Sequence, residues 1–187
     1  MNEILQKADK IDYSVSYTTR APRGIEQDGV HYHFVNKAEF TARIEQGDFL
    51  EYAKVFGQSW YGTSISYIQS RLKLGRHVIM DIDVQGAAQI SATTVPLVKI
   101  FIIPPSVDVL QQRLIRRGTD SPEDIQRRLD TAKKELDCIP DYDYLVINDD
   151  LDLAVKDVMA IIKAEENRVC RYQSPMQEFL LQEKKHD

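Results

Sequence analysis

Two short runs, HVIMDID at residues 77–83 and LVKIFIIPP at 97–105, constrain the fold of this chain more than any other feature. Val78 to Met80 and Ile100 to Ile103 are apolar at every position instead of at alternate ones. That is the pattern of strands buried on both faces in a parallel sheet, which helices must cover on each side. Helix signals alternate with the strand signals as this requires. Asn36 precedes KAEFTARIEQ, with Glu39 in capping-box position, Phe40 and Ile44 on one apolar face, and Gly47 at the stop. Ser64 opens ISYIQSRLKL, which Gly75 closes, Ser106 caps a helix carrying Leu110 and Leu114, and SPED starts another with Pro122 at its first position. A long amphipathic helix runs from Leu151 to about Val169, and MNEILQKADK carries Ile4, Leu5 and Ala8 at helical spacing. Further strands are read at IDYSVSY (11–17), VHYHFV, FLEYAKVF ending at Gly57, and DYLVIN. The expectation is one α/β domain over residues 1–187, a parallel sheet flanked by helices with a hairpin-rich insertion near residues 11–63.

Composition narrows the partners. A net charge of −5 gives no global basic field, so neither nucleic acid nor an anionic membrane is expected to bind, and any anion site must be built locally. Two cysteines and four histidines supply neither a disulfide framework nor a four-ligand zinc site, and no metal ligands are assigned. The first residues lack the apolar core of a leader, and LVKIFIIPP is too short to span a bilayer. A cytoplasmic protein is expected.

Four constellations can carry chemistry. In TTRAPR, Arg20 and Arg23 are spaced so that two guanidinium forks can meet one anion, although a loop of solvated charge reads the same way. Glu51 lies among apolar neighbours in FLEYA. Its two oxygens match the parallel N1–H and 2-amino donors of a guanine base, which adenine lacks; the alternative is a strand-edge carboxylate facing water. Asp81 and Asp83 end a buried strand, where ligands bind in open α/β sheets and where Mg²⁺ is often met, or else they cap the helix starting near Val84. Arg113, Arg116 and Arg117, then Arg127 and Arg128, form either a segment that closes on phosphate, hinged at Gly118, or a solvated basic face.

SVSYTTRAPR, DGVHYHFV, FLEYAKVFGQSWYGTS, DIDVQG, RLIRRGTDS and YDYLVINDDL occur in one order, and together they resemble the guanylate kinases over roughly residues 3–170. The resemblance implies a P-loop-kinase-like parallel sheet with a GMP-binding region at about 17–77 and a lid at about 113–128; the residues at 175–187 themselves read as a polar tail. It implies that Ser16, Glu51, Thr63 and Asp83 surround guanine, that Arg20, Arg23, Tyr32 and Tyr61 hold the GMP phosphate, and that Arg113, Arg117 and Arg128 belong to the lid. Asn148 would approach the adenine of ATP, which brings Mg²⁺ with it, and Arg23, Arg113, Arg117 and Arg128 would stabilise the transferring phosphoryl group. GQSWYGT looks one residue longer than the family pattern, and Tyr61 instead of Trp60 is taken as the phosphate contact. The resemblance also implies a first strand and a glycine-rich loop, G-x-x-x-x-G-K-[ST], but no Gly-Lys pair occurs among the 187 residues. MNEILQKADK reads as the back half of the helix after that loop, so a shortened, weakly active chain with an unfilled slot in its sheet is expected. The competing expectation is a catalytically silent GMP-binding or protein-interaction module; Glu51 and TTRAPR disfavour an adenylate or thymidylate kinase.

Overall fold

The computed structural model describes residues 1–55, 59–90, 95–118 and 120–171. Gly57, part of the GQSWYGT segment and the tail at 175–187 lie outside them. The strand read over 11–17 is two strands in different sheets. β1 (Ile11–Tyr13) pairs in parallel with β6 (His77–Ile79), whereas β2 (Tyr17–Thr18) lies between β3 (His33–Phe34) and β5 (Ser59–Ser64), with β4 (Phe49–Val55) beyond β5. Ser14 still bonds to the carbonyl of Ile79, so the chain leaves one sheet for the other over residues 14–16. Alternation alone cannot reveal such a crossing, because both halves keep a period of two. The VHYHFV strand likewise shrinks to His33–Phe34.

Helices begin where their capping residues stand. The side chains of Asn36, Ser64, Asp83, Ser106, Ser121 and Asp150 each accept a backbone N–H at the start of α2 (Lys37–Glu45), α3 (Ile65–Lys73), α4 (Val84–Gln89), α5 (Val107–Arg117), α6 (Pro122–Glu135) and α7 (Leu151–Glu166). Glu39 does not complete the capping box, because its carboxylate turns to Arg43 one helical turn on.

Two apolar clusters cover the parallel strands from opposite sides. On one, α1 (Asn2–Lys7) and α7 bring Ile4, Val155 and Val158 against Ile11, Ile79, Ile100 and Val146. On the other, Ile68 of α3, Leu50 of β4 and Ile90 pack with Val78 and Met80. β7 (Ile100–Ile103) pairs in parallel with β8 (Tyr144–Ile147), but among the described residues no ladder joins β6 to β7. A cavity of about 490 Å³ lies there, lined by Val78, Ile79 and Met80 on one side and Ile100, Phe101 and Ile102 on the other. It accounts for a departure from the sequence reading: β6 is only half-buried and Ile102 is 52% exposed, where burial on both faces was expected. Among the described residues no helix is long and apolar enough to cross a membrane.

Candidate active site

The site grows from a β-bulge. Phe49 pairs with Ser64 and Glu51 with Thr63, so β4 carries one residue, Leu50, that β5 does not match. Phe49 packs against Phe40 and Tyr17 on one face, Leu50 enters the second apolar cluster, and Glu51 points to the face of Thr63. Period-two alternation along β5 then separates its aromatics. Trp60 joins Phe40 and Tyr52, while Tyr61 lies with Arg20 and Tyr32.

Glu51 is not a water-facing edge carboxylate: only 5% of it is exposed. One oxygen accepts the Thr63 hydroxyl at 2.6 Å, and Thr63 is itself fully buried. The other lies against Gly86 in the first turn of α4. Burial pushes the Glu51 carboxyl above the ordinary range, and the neighbouring Asp83 adds to this, while the Thr63 hydroxyl holds it down. A buried carboxylate held by the hydroxyl and backbone N–H of one residue keeps unused acceptor capacity. Asp83 is placed beside it, and one of its oxygens caps α4 through Gly86 N–H at 2.8 Å, as the capping reading of this residue expects. Asp81 is exposed and raises the Tyr13 and Tyr32 hydroxyl pKa values only after burial has done so.

Arg20 is held in a tight network. Its guanidinium grips both oxygens of Glu26 at 2.9 Å, donates to the Ala21 carbonyl at 2.7 Å, and donates from Nε to the Tyr61 hydroxyl at 3.1 Å. Four of its five N–H groups are thereby engaged. Tyr32 lies under the guanidinium carbon at 5.3 Å, a cation–π distance. Because Tyr61 accepts from Arg20, its own proton is left to donate elsewhere. Glu26 also accepts the backbone N–H of Arg23 at 2.7 Å, closing the 20–26 loop. The Arg20 fork holds the Glu26 carboxyl down at about 2. With the folded pKa depressed, its stabilisation is full above the ordinary value of 4.5 and is lost as pH falls toward 2. In a carboxyl-detected NMR titration the Glu26 resonance should stay ionised down to pH about 3; a midpoint near the ordinary value would mean the fork does not form in solution.

Not every expected residue joins this group. Arg23 contributes its backbone, and its side chain is exposed. Ser16 is half-buried and is fixed through its carbonyl, which accepts His33 N–H. The basic segment forms a second assembly. Arg113 of α5 donates to the carbonyls of Asn148 and Asp149 at 2.7 and 3.0 Å, tying that helix to the loop after β8. Arg117 is exposed at the end of α5, beside Gly118 in the left-handed conformation at φ +68°. Arg128 pairs with Asp120 in the turn between α5 and α6. Sequence reading missed Glu26 and Gly86. An acid three residues after Arg23 in an otherwise basic loop was the available signal for the first, and a glycine inside a helix was the signal for the second.

A guanylate kinase family model matches residues 1–165. The guanylate kinase of Clostridium perfringens strain SM101 is 45% identical over 184 residues, covering 98% of this chain and 83% of that protein. The guanylate kinase of Hahella chejuensis is 49% identical over 166 residues, covering 88% and 79%. The crystal structure of guanylate kinase from Anaplasma phagocytophilum superimposes with a TM-score of 0.79 at 32% identity, covering 96% of this chain and 86% of that one. A parallel α/β core, a buried carboxylate, a separate arginine network, and agreement over nearly the whole chain lead to one conclusion: this protein belongs to the guanylate kinase family, whose members phosphorylate GMP.

Proposed function

We propose that GMP lies across the β4–β5 face, with Glu51 accepting the guanine N1–H and 2-amino donors and Thr63 steadying the carboxylate. The free oxygen of Asp83 and the Ser16 hydroxyl complete the contacts around the base. Arg20, Arg23, Tyr32 and Tyr61 receive the phosphate, to which Tyr61 donates its unused proton and Arg20 its remaining N–H. The observation that carries this reading is the buried Glu51 carboxylate, whose hydrogen bonds among the described residues come from Thr63 alone, through its hydroxyl and its backbone N–H. A guanine edge supplies the two donors that such a group lacks, and an adenine edge does not.

The phosphoryl donor in this reading is ATP. Residues 113–128 act as the lid over it and residues 17–77 as the acceptor region. Arg117 and Arg128 reach the transferring group, while Arg113 couples the lid to the Asn148 loop beside the adenine. An arginine-rich donor set suits a polyphosphate, and Mg²⁺ bound with ATP would supply further neutralisation of the phosphate charge. These residues do the work by positioning and charge neutralisation, with no covalent intermediate. The cytoplasm, where thiols such as Cys138 and Cys170 stay reduced, is the compartment that fits this chemistry.

Calorimetry of the 187-residue chain with GMP and AMP tests the acceptor assignment. GMP should bind at least about tenfold more tightly, the worth of about one charge-assisted hydrogen bond. Equal affinities would overturn it.

A further inference from the structure

Gly86 occupies the third position of α4, with no backbone reason to be glycine. It is not among the residues at positive φ, and glycine inside a helix is less favourable than alanine by about 1 kcal/mol. What distinguishes the position is the approach of another side chain. A Cβ built there would lie 2.5 Å from Glu51 Oε2, 3.1 Å from its Cδ and 3.5 Å from Asp83 Oδ1. The nearest of these is far inside van der Waals contact.

The carboxylate has little freedom to yield. It is buried, and its other oxygen is fixed by the Thr63 hydroxyl at 2.6 Å. A side chain at residue 86 must therefore drive Oε2 away by several tenths of an ångström or more and tilt the plane of the carboxylate. Two parallel hydrogen bonds to a flat base edge tolerate such a tilt poorly, because both oxygens must lie in the plane of the donors.

We infer that Gly86 is a specificity-determining positioning residue: by having no side chain it lets α4 seat the Glu51 carboxylate at the angle that distinguishes guanine from bases lacking the 2-amino group. This rests on the reading that Glu51 contacts the base. Gly86 acts through Glu51 and touches no reacting atom.

The test measures binding of GMP and of inosine monophosphate, which keeps N1–H but lacks the 2-amino group. In the parent chain GMP should bind more tightly, and Glu51→Gln should remove that preference. Gly86→Ala should narrow the GMP-to-inosine-monophosphate ratio by about tenfold, while on a Glu51→Ala background, where there is no carboxylate to displace, it should change neither nucleotide's affinity. Thermal melts of Glu51→Ala with and without Gly86→Ala control for folding, and the added alanine should leave the midpoint unchanged or raise it. A ratio kept by Gly86→Ala but lost in Glu51→Gln overturns the role of Gly86 and leaves the guanine reading standing. A ratio that survives Glu51→Gln overturns both.

Discussion

Glu51→Gln should weaken GMP binding by about 100-fold, or about 2.7 kcal/mol, while making the folded protein harder to melt at neutral pH. The two effects share one cause. Gln keeps an oxygen for the Thr63 hydroxyl and one base donor, but presents an amide N–H₂ where guanine brings its second donor, so that base contact is lost and becomes repulsive. Stability moves the other way because burial raises the Glu51 carboxyl pKa above its ordinary value. The folded state then holds that proton more tightly than the unfolded state, and stability is lost as pH rises through the raised pKa. At neutral pH the amide relieves this cost, so the melting midpoint of Glu51→Gln should exceed that of the parent. The gap should shrink as pH falls and the parent's carboxyl takes up its proton. Calorimetry and thermal melts over pH 5 to 8 read both effects. A variant that binds GMP like the parent would show that the carboxylate does not contact the base, and one that melts earlier would show that Glu51 is compensated by a partner other than Thr63.

Arg20→Ala should weaken GMP by a similar factor, about 100-fold, and leave guanosine almost untouched. In the proposed pose the guanidinium meets the phosphate through its remaining N–H and orients the Tyr61 hydroxyl, so its removal deletes one direct donor and misaligns another. Glu26 loses the fork that holds its carboxyl down at about 2, and a carboxylate near the phosphate is left unpaired. The added repulsion acts on the nucleotide and not on the nucleoside. Comparing GMP with guanosine therefore separates the two halves of the pocket: Glu51→Gln should harm both ligands and Arg20→Ala only the charged one. If guanosine weakens as much as GMP in Arg20→Ala, the arginine supports the loop instead of the phosphate.

Local signals in the sequence carried far because their physics is local. Asn36, Ser64, Ser106, and Ser121 with Pro122, mark helix starts through bonds to backbone groups two or three residues away. The parallel strands β6 and β7 were legible in their unbroken apolar runs, and the motifs around Glu51 and Asp83 pointed to residues that the fold brings close. What stayed hidden depends on partners distant in the chain. The passage of residues 14–16 between sheets requires knowing that Tyr13 faces Ile79 while Tyr17 faces Gly62. The Arg113 tether spans 35 residues to the Asn148 carbonyl and leaves no mark in either segment. Half-burial of β6 follows from a cavity that composition cannot show. Glu26 was within reach, since it lies six residues from Arg20, but the attention given to the two arginines of that loop passed over the carboxylate between them and the next motif.

The unmatched Leu50 sends three consecutive side chains into three separate compartments, whereas a regular strand would return the third to the side of the first. Neighbouring codons thus answer to unrelated demands: aromatic stacking at Phe49, oily contact with α3 and Ile90 at Leu50, and a buried hydrogen-bonded carboxylate at Glu51. Selection can tune each without disturbing the next, so a tripeptide becomes a set of independent dials.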